Sequence, residues 1–160
     1  ATVLVGSAPA LEGGSVSLAG LRGKVVLVAN TASRCGYTPQ YAGLERLWKR
    51  YGDRGLVVLG QPSDSFRQEP GSAAEVEQVC RVRYGVTFPL LAKAPVTGAS
   101  ATPLFRALAT APGVGAEPTW NFTKYLLDRD GRPVARFDPA TEPESDAVVG
   151  AIEALLRTKA

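Results

Sequence analysis

Residues 24–38 read KVVLVANTASRCGYT, and this stretch decides the fold. Its first seven residues form a nearly continuous apolar run, which is typical of a central strand that is buried on both faces. A polar loop follows, in which Thr38 is a candidate helix cap and Pro39 suits a first helical turn. Apolar side chains then recur with helical spacing, which predicts a helix with one buried face: Leu44, Leu47, Trp48 and Tyr51.

The rest of the chain alternates between strand and helix signals. They predict a strand at residues 56–60, a helix from the capping box at residues 72–75, a short strand at residues 87–91, a helix opened by Thr102-Pro103, a hairpin around residues 129–132, and a last helix from Thr141. The early crossovers imply parallel strands, and the hairpin adds an antiparallel edge. We therefore predict a single α/β domain over residues 1–160. It is a thioredoxin-like three-layer α/β/α sandwich whose central mixed sheet has an N-terminal strand extension.

The composition limits the possible functions. The chain has 160 residues, of which 18 are basic and 15 acidic, and a net charge of +3. Because the basic residues are scattered along the chain, we expect no nucleic-acid partner. The longest apolar runs are far too short to cross a bilayer, so we expect no integral membrane association. Ala1 is followed by neither a basic leader nor an apolar signal core, which fits a mature exported protein or a cytosolic one.

The sequence contains no histidine, and its two cysteines are Cys35 and Cys80. The absence of histidine excludes Ser-His-Asp and Cys-His catalysis, histidine-bound zinc and a histidine-ligated haem. Two cysteines cannot build a four-thiolate metal site, and no C-x-x-C motif is present. This disfavours a thiol–disulfide oxidoreductase of the C-x-x-C type and directs attention to each cysteine separately.

Cys35 stands between the predicted central strand and the helix that follows it. The carboxyl end of a strand in an open α/β sheet is where sites form, and a helix N-terminus favours a thiolate over a thiol. Arg34 adds a nearby positive charge, and Gly36 allows backbone N–H groups to approach the sulfur closely. The alternative is a buried structural cysteine. Since Cys35 lies in a polar loop and not on an apolar face, the pattern favours a reactive thiol.

Cys80 and Trp120-Asn121 are less clear from their local patterns. Cys80 shares helical spacing with Val76 and Val79, which favours a core cysteine, and a disulfide with Cys35 is a further option. Trp120-Asn121, just before the hairpin, could donate hydrogen bonds to a thiolate or to a leaving oxygen. The local pattern alone favours a core tryptophan beside a turn asparagine.

Taken together, these segments resemble the glutathione peroxidases, specifically the short, cysteine-using, bacterial-type members. The matching blocks follow the order of that family and cover nearly the whole chain from about residue 20. They are GKVVLVANTASRCGYTPQ (23–40), YGDRGLVVLG (51–60), QEPGS (68–72), YGVTFP (84–89) and WNFTKYLLDRD (120–130), with PES at 143–145.

The resemblance implies roles for the site residues. Cys35 takes the place of the peroxidatic cysteine or selenocysteine, and Trp120 and Asn121 take two further places in the catalytic tetrad. With backbone N–H groups near Gly36, these two side chains would hold the thiolate and stabilise the leaving oxyanion.

The fourth place of the tetrad is where this chain departs from the family. That place is normally a glutamine just before a phenylalanine, in a loop that reads roughly GFPCNQF. Here residues 60–66 read GQPSDSF, so Ser65 holds the position, and the loop is one residue shorter before Gln68. Either the site works with three members, or another group such as Gln61 or a water takes over.

The resemblance also implies a role for Cys80. In EQVC, residues 77–80, it matches the resolving cysteine of members that thioredoxin reduces. If Cys80 is packed in the reduced state, its helix must unravel locally before it reaches Cys35. Residues 93–117 lack the insertion through which larger relatives form tetramers, so we expect a monomer.

The expected activity is that of a thiol peroxidase. The Cys35 thiolate reduces hydrogen peroxide or an organic or lipid hydroperoxide and becomes a sulfenic acid, Cys80 resolves it as an intramolecular disulfide, and thioredoxin recycles the protein. No metal, haem, flavin or other cofactor is needed. One alternative is a glutathione-dependent peroxidase in which Cys80 is structural, and another is a peroxide sensor that passes oxidation to a partner protein. Both the bacterial cytoplasm and the periplasm are compatible with the sequence.

Overall fold

A four-stranded mixed sheet forms the centre of the computed structural model, which describes residues 2–158. In chain order the strands and helices are β1 (Ser7–Pro9), β2 (Ser15–Ser17), β3 (Val25–Thr31), α1 (Gln40–Tyr51), β4 (Leu56–Pro62), α2 (Ala73–Glu77), α3 (Pro103–Thr110), β5 (Lys124–Leu127), β6 (Pro133–Phe137) and α4 (Asp146–Leu156). The sheet order is β4-β3-β5-β6, in which β3 and β4 are parallel and the other two pairs are antiparallel. The predicted mixed sheet is confirmed.

Helices cover both faces of this sheet because its strands are apolar on both sides. Along β3, Val25 and Leu27 lie on one face and Val26 and Val28 on the other, and all four are fully buried. Helices α1 and α4 pack on the first face together with Cys80, and α3 packs on the second. Burying a side chain of this size is worth about 1.5–3 kcal/mol, so the predicted three-layer sandwich depends on this central strand.

The N-terminal extension is a separate two-stranded hairpin of β1 and β2. An isolated bridge between Ala10 and Leu91 ties it to the rest of the fold. Leu11 adds a second tie, because its side chain is buried and its N–H donates to Leu90 O at 3.0 Å. Among residues 2–158, no helix is long and apolar enough to span a membrane.

A proline explains why two of the predicted elements differ from the structure. The strand predicted at residues 87–91 is reduced to isolated bridges, because Pro89 has no N–H with which to extend a ladder. The last helix begins at Asp146 and not at Thr141, because Pro143 disfavours helical backbone in the residue before it.

The helix that carries Cys80 changes its hydrogen-bond pattern partway along. It begins at the predicted capping box, in which the side chains of Ser72 and Glu75 each accept from the other's backbone N–H. After the five residues of α2, the segment Gln78–Arg83 is a π-helix. Such wider turns are rare, and where they occur they often lie at functional sites.

Candidate active site

Cys35 lies in the loop that follows β3, at the carboxyl end of that strand. Its side chain is buried, and the backbone N–H of Tyr37 donates to Sγ at 3.3 Å. The sequence predicts backbone donors near Gly36, and the structure shows the donor to be the next residue. Thr38 N donates to Cys35 O at 3.0 Å, which closes a turn and aims the Tyr37 amide at the sulfur. A backbone N–H in this position stabilises negative charge on Sγ.

Thr38 fixes this loop from within. Its Oγ1 accepts from Cys35 N at 3.0 Å and donates to Ala32 O at 2.8 Å. The predicted role of Thr38 as a helix cap is therefore wrong, since α1 has Pro39 as its N-cap and no side-chain cap bond. The hydroxyl instead joins the two sides of the Cys35 loop.

Asn121 and Gln68 form an amide pair next to this loop. Asn121 is fully buried, and its Nδ2 donates to Gln68 Oε1 at 3.0 Å. Gln68 is also joined to the Cys35 loop, because its backbone O accepts from Arg34 N at 3.0 Å. Among residues 2–158, Asn121 Oδ1 has no hydrogen-bond partner. Asn121 thus has a buried acceptor oxygen that receives no hydrogen bond from the described residues.

The backbone is strained on both sides of the amide pair. Arg67 (φ 61°) precedes Gln68 and Phe122 (φ 64°) follows Asn121, and within residues 2–158 no other residue except glycine has a positive φ. This left-handed region costs a residue with a side chain about 1–2 kcal/mol. Phe122 is held there by its buried ring and by its N–H, which donates to Asn30 O at 2.6 Å. Strain of this kind clusters at sites where the surroundings over-determine the backbone.

Trp120 lies at the surface beside the amide pair. The residue is 36% exposed, and its ring centroid lies 5.3 Å from that of Phe66. Its backbone O accepts from Asn30 Nδ2 at 3.0 Å and from Thr123 Oγ1 at 2.8 Å. The alternative of a core tryptophan beside a turn asparagine is wrong, because the tryptophan is exposed and Asn121 is buried.

Ser65 and Gln61, the two residues considered for the fourth place of the tetrad, have other contacts. Ser65 Oγ accepts from Val96 N at 3.0 Å, and Gln61 Nε2 donates to two backbone carbonyls, each at 2.8 Å. The side chain that the structure does bring to Asn121 is Gln68, which the sequence analysis did not single out. The sequence feature that could have identified it is a glutamine at the start of the QEPGS block, directly after the shortened loop.

Cys80 packs in the core on the same face of the sheet as Cys35. It is fully buried, and both cysteines are free thiols, so the structure shows no disulfide between them. Burial raises the pKa of Cys80 to about 11, and the thiol is therefore neutral at physiological pH. The inward-facing position that helical spacing predicts is confirmed.

A cavity of about 320 Å³ lies between the Cys35 loop and the Cys80 helix. Glu69 lines it with a buried carboxylate, whose Oε2 accepts from Ser33 Oγ at 2.9 Å, and burial raises the pKa of Glu69. No three Cys, Asp or Glu side chains within residues 2–158 are grouped so that they could hold a metal ion. The remaining side chains that line the cavity come from both cysteine-bearing segments: Ser33, Arg34, Glu75, Gln78, Val79 and Arg83.

The fold places the chain in the thioredoxin-like class, with a free cysteine, Cys35, in the loop after a central strand. Comparison with protein families identifies one family within that class. The family model described as glutathione peroxidase matches residues 4–109. The chain belongs to the glutathione peroxidase family and is a peroxidase, which confirms the resemblance seen in the sequence.

Individual relatives match most of the chain. "Hydroperoxy fatty acid reductase gpx1" from Synechocystis sp. is 50% identical over 159 residues, which cover 94% of this chain and 93% of the relative. "Glutathione peroxidase-like peroxiredoxin gpx1" from Schizosaccharomyces pombe is 46% identical, over 83% of this chain and 86% of the relative. The crystal structure of Trgpx in its apo form superposes with a TM-score of 0.79 and 32% identity, covering 100% of this chain and 99% of that one. The predicted fold is therefore confirmed.

Proposed function

We propose that this peroxidase acts through Cys35 on hydrogen peroxide and on organic and lipid hydroperoxides, that Cys80 resolves the oxidised cysteine, and that thioredoxin recycles the protein. The observation that carries the proposal is the Tyr37 N–H aimed at Cys35 Sγ, 3.3 Å away, beside the amide pair of Gln68 and Asn121. A sulfur nucleophile and a leaving oxyanion both need fixed hydrogen-bond donors at the point where charge develops.

In the first step the Cys35 thiolate attacks the terminal oxygen of the hydroperoxide. An S–O bond forms as the O–O bond breaks, so Cys35 is oxidised to a sulfenic acid while the peroxide is reduced. The leaving oxygen takes up a proton from solvent and departs as water or as an alcohol. Donors from Trp120, Asn121 and the loop backbone support this step by stabilising the charge on sulfur and on the leaving oxygen.

In the second step the Cys80 thiol loses its proton and attacks the sulfur of oxidised Cys35. The S–S bond forms, the S–O bond breaks, and the hydroxide leaves as water after it takes up a proton. A dithiol of thioredoxin then reduces the disulfide by exchange. The geometry of the helix supports this step, because Cys80 lies in a short π-helical segment that follows an α-helix of five residues, and short irregular segments open most readily.

We assign the fourth place of the tetrad to Gln68 and no longer to Ser65. Gln68 offers the same amide group as the family glutamine, and it contacts both Asn121 and the Cys35 loop. The hydroxyl of Ser65 accepts from Val96 N, on the 93–96 segment. Gln68 is also the first glutamine after the shortened loop.

The surroundings of Trp120 and the names of the relatives support the choice of substrate and reductant. The neighbouring rings of Phe66 and Trp120, tilted by 49° to each other, offer an apolar surface beside the amide pair, which suits the chain of a lipid hydroperoxide. The Synechocystis relative is named a hydroperoxy fatty acid reductase and the S. pombe relative a peroxiredoxin. We also propose that the protein works as a monomer of one domain over residues 1–160.

Thiol mapping after a single turnover tests this proposal. The reduced protein is mixed with one equivalent of hydrogen peroxide, free thiols are blocked, and the products are identified by non-reducing mass spectrometry. We expect a linkage between Cys35 and Cys80 within seconds. A sulfenic or sulfinic acid at Cys35 with a free Cys80 thiol would support the peroxidase reaction and contradict the resolving role of Cys80.

The Cys80→Ser variant separates the two reductants. We expect its thioredoxin-driven turnover to fall at least about a hundredfold, because no protein disulfide forms for thioredoxin to open. Oxidation of Cys35 in the first turnover should be unchanged. Val76→Ala, which alters another buried residue of the same helix, controls for simple loosening of the segment. Turnover of Cys80→Ser with glutathione at the wild-type rate would favour the glutathione-dependent alternative.

A further inference from the structure

Arg81, directly after Cys80, joins the Cys80 helix to two separate parts of the fold. Its Nη1 donates to Val86 O at 3.0 Å and to Phe88 O at 2.9 Å. Its Nε and Nη2 form a two-pronged ion pair with Glu12, at 2.8 Å and 3.0 Å from the two carboxylate oxygens. One guanidinium therefore makes four charge-assisted hydrogen bonds, which are stronger than neutral ones.

Arg81 is the main polar tether of this helix. Within the part of the chain that the structure describes, the other side-chain contacts of residues 73–83 with polar groups are the helix cap between Ser72 and Glu75 and the Cys80 thiol, which faces the Tyr41 hydroxyl. Apart from that hydroxyl, Cys80 lies fully buried among apolar side chains. Any movement that carries Cys80 out of the core must therefore displace the neighbouring Arg81 from its partners.

Glu12 is presented by a fixed turn at the tip of the β1–β2 hairpin. Gly13 and Gly14 adopt positive φ there, and Ala10 N donates to Gly14 O at 3.1 Å to close the turn. On the other side, Leu11 is anchored in the core. The carboxylate thus belongs to the N-terminal hairpin and not to the helix that it binds, so it stays in place when that helix opens.

We propose that Glu12 and Arg81 form a latch that holds Cys80 in the core, and that opening of this latch limits the rate at which Cys80 reaches oxidised Cys35. The inference rests on the resolving role proposed above for Cys80. Arg81 is then a positioning residue, which acts through Cys80. The pair is suited to this role because the Arg81 side chain is only 24% exposed, and less exposed ion pairs are screened less than surface pairs.

The test compares Glu12→Gln with Glu144→Gln. Glu144 forms an equally close pair with Arg46, at 2.7 Å, in which the arginine is 62% exposed. Within the described residues, neither side chain forms a hydrogen bond or ion pair with the Cys80 helix. Rapid mixing with peroxide, followed by acid quench and mass spectrometry, measures the rates of Cys35 oxidation and of disulfide formation separately. We expect Glu12→Gln to form the disulfide about three- to tenfold faster, because the variant loses the ion pair. Cys35 oxidation should be unchanged in both variants.

Hydrogen exchange shows whether the faster step is faster opening. In a Cys35→Ser background no disulfide forms, and the amides of Tyr84 and Val86, which donate to Val79 O and Cys80 O, report on the helix directly. Glu12→Gln should raise their exchange rates by the same factor as it raises disulfide formation. Glu144→Gln should leave them unchanged.

The outcomes separate this inference from the function on which it rests. Disulfide formation in Glu12→Gln at the wild-type rate, or more slowly, would overturn the latch. Equal acceleration by Glu144→Gln would overturn it as well, because the effect would then be a general loss of ion pairs. Failure of the wild-type protein to form any Cys35–Cys80 disulfide would instead overturn the resolving role. In that case the exchange rates in the Cys35→Ser background still decide whether the tether exists.

Discussion

The two cysteines lie on one face of the same sheet and in opposite chemical settings. Cys35 sits in a polar loop, where the Tyr37 N–H points at its sulfur and Thr38 joins the two sides of the loop. Cys80 lies in an apolar core that raises its pKa to about 11. The first sulfur faces a backbone N–H that stabilises negative charge, whereas burial keeps the second neutral until its surroundings change.

Their mechanical settings differ as well. Strand β3, which leads to Cys35, is paired with β4 along one edge and with β5 along the other, so the loop starts from the interior of the sheet. Cys80 stands in six residues of π-helix after a short α-helix. The difference teaches that a strand end holds Cys35 in a fixed geometry, whereas the resolving role proposed for Cys80 needs a segment of low local stability.

Alkylation of the reduced protein by iodoacetamide at pH 7 is the strongest test of this contrast. We expect Cys35 to react at least about a hundredfold faster than Cys80. Only the thiolate is nucleophilic, and a pKa of about 11 leaves roughly one Cys80 thiol in ten thousand ionised at pH 7. Mass spectrometry of peptides at timed intervals gives both rates.

The pH dependence of Cys80 alkylation provides an independent check. Below its raised pKa, the Cys80 thiolate fraction grows about tenfold for each pH unit, so its alkylation rate should rise by that factor between pH 8 and pH 9. Unfolding in guanidinium is the control and should bring the two cysteines to similar rates. Similar rates in the native protein would mean that Cys80 is neither buried nor neutral, and the contrast would be lost.

A second test asks which side chain, Gln68 or Ser65, completes the site around Cys35. Gln68→Ala should slow oxidation of Cys35 about 10- to 100-fold, because it removes the partner of Asn121 and a fixed dipole at the site. Ser65→Ala should change the same rate by less than about twofold, since its hydroxyl serves the 93–96 segment. The measurement is single-turnover oxidation in the Cys80→Ser background, which excludes resolution. A larger loss in Ser65→Ala than in Gln68→Ala would return the fourth place to Ser65.

Much of the Cys35 side could be predicted from the sequence because its signals are local. The apolar run at residues 24–30 predicts β3, and a polar loop with a cysteine directly after it predicts the place of the site. The role of Thr38 could not be predicted, because a threonine before a proline has the same pattern whether it caps the helix or bonds back into the loop. Gln68 was missed because its partner lies 53 residues away, in Asn121, and only folding brings the two together.

On the Cys80 side, the sequence predicts the helix and misses its form. Val76, Val79 and Cys80 have the spacing of an α-helix, and the capping box predicts where the helix begins. A π-helical turn retains the same apolar face over so short a segment, so the spacing does not distinguish the two forms. The tether through Arg81 was also beyond prediction, because its partner Glu12 belongs to a different element.

The smallest expected effect concerns the backbone strain at Arg67, next to the Cys35 site. Arg67 holds a left-handed backbone directly before Gln68, and glycine adopts that conformation without a steric penalty. Arg67→Gly should therefore raise the free energy of unfolding by about 0.5–1 kcal/mol, once the greater freedom of the unfolded glycine is subtracted. Arg132→Gly is the matched control, because Arg132 is an exposed turn arginine without positive φ and should lose stability or keep it. Urea unfolding measures both.

The same variant shows whether the strain serves the site. A glycine at position 67 is free to leave the left-handed region, so Gln68 is held less firmly against Asn121. Oxidation of Cys35 in the Cys80→Ser background should then slow by about two- to fivefold in a protein that is more stable than its parent. A gain in stability with no change in this rate would show that the strained backbone merely accompanies the site. Resolution by Cys80 should not respond to Arg67→Gly in either case, because Arg67 makes no side-chain bond to the helix that must open.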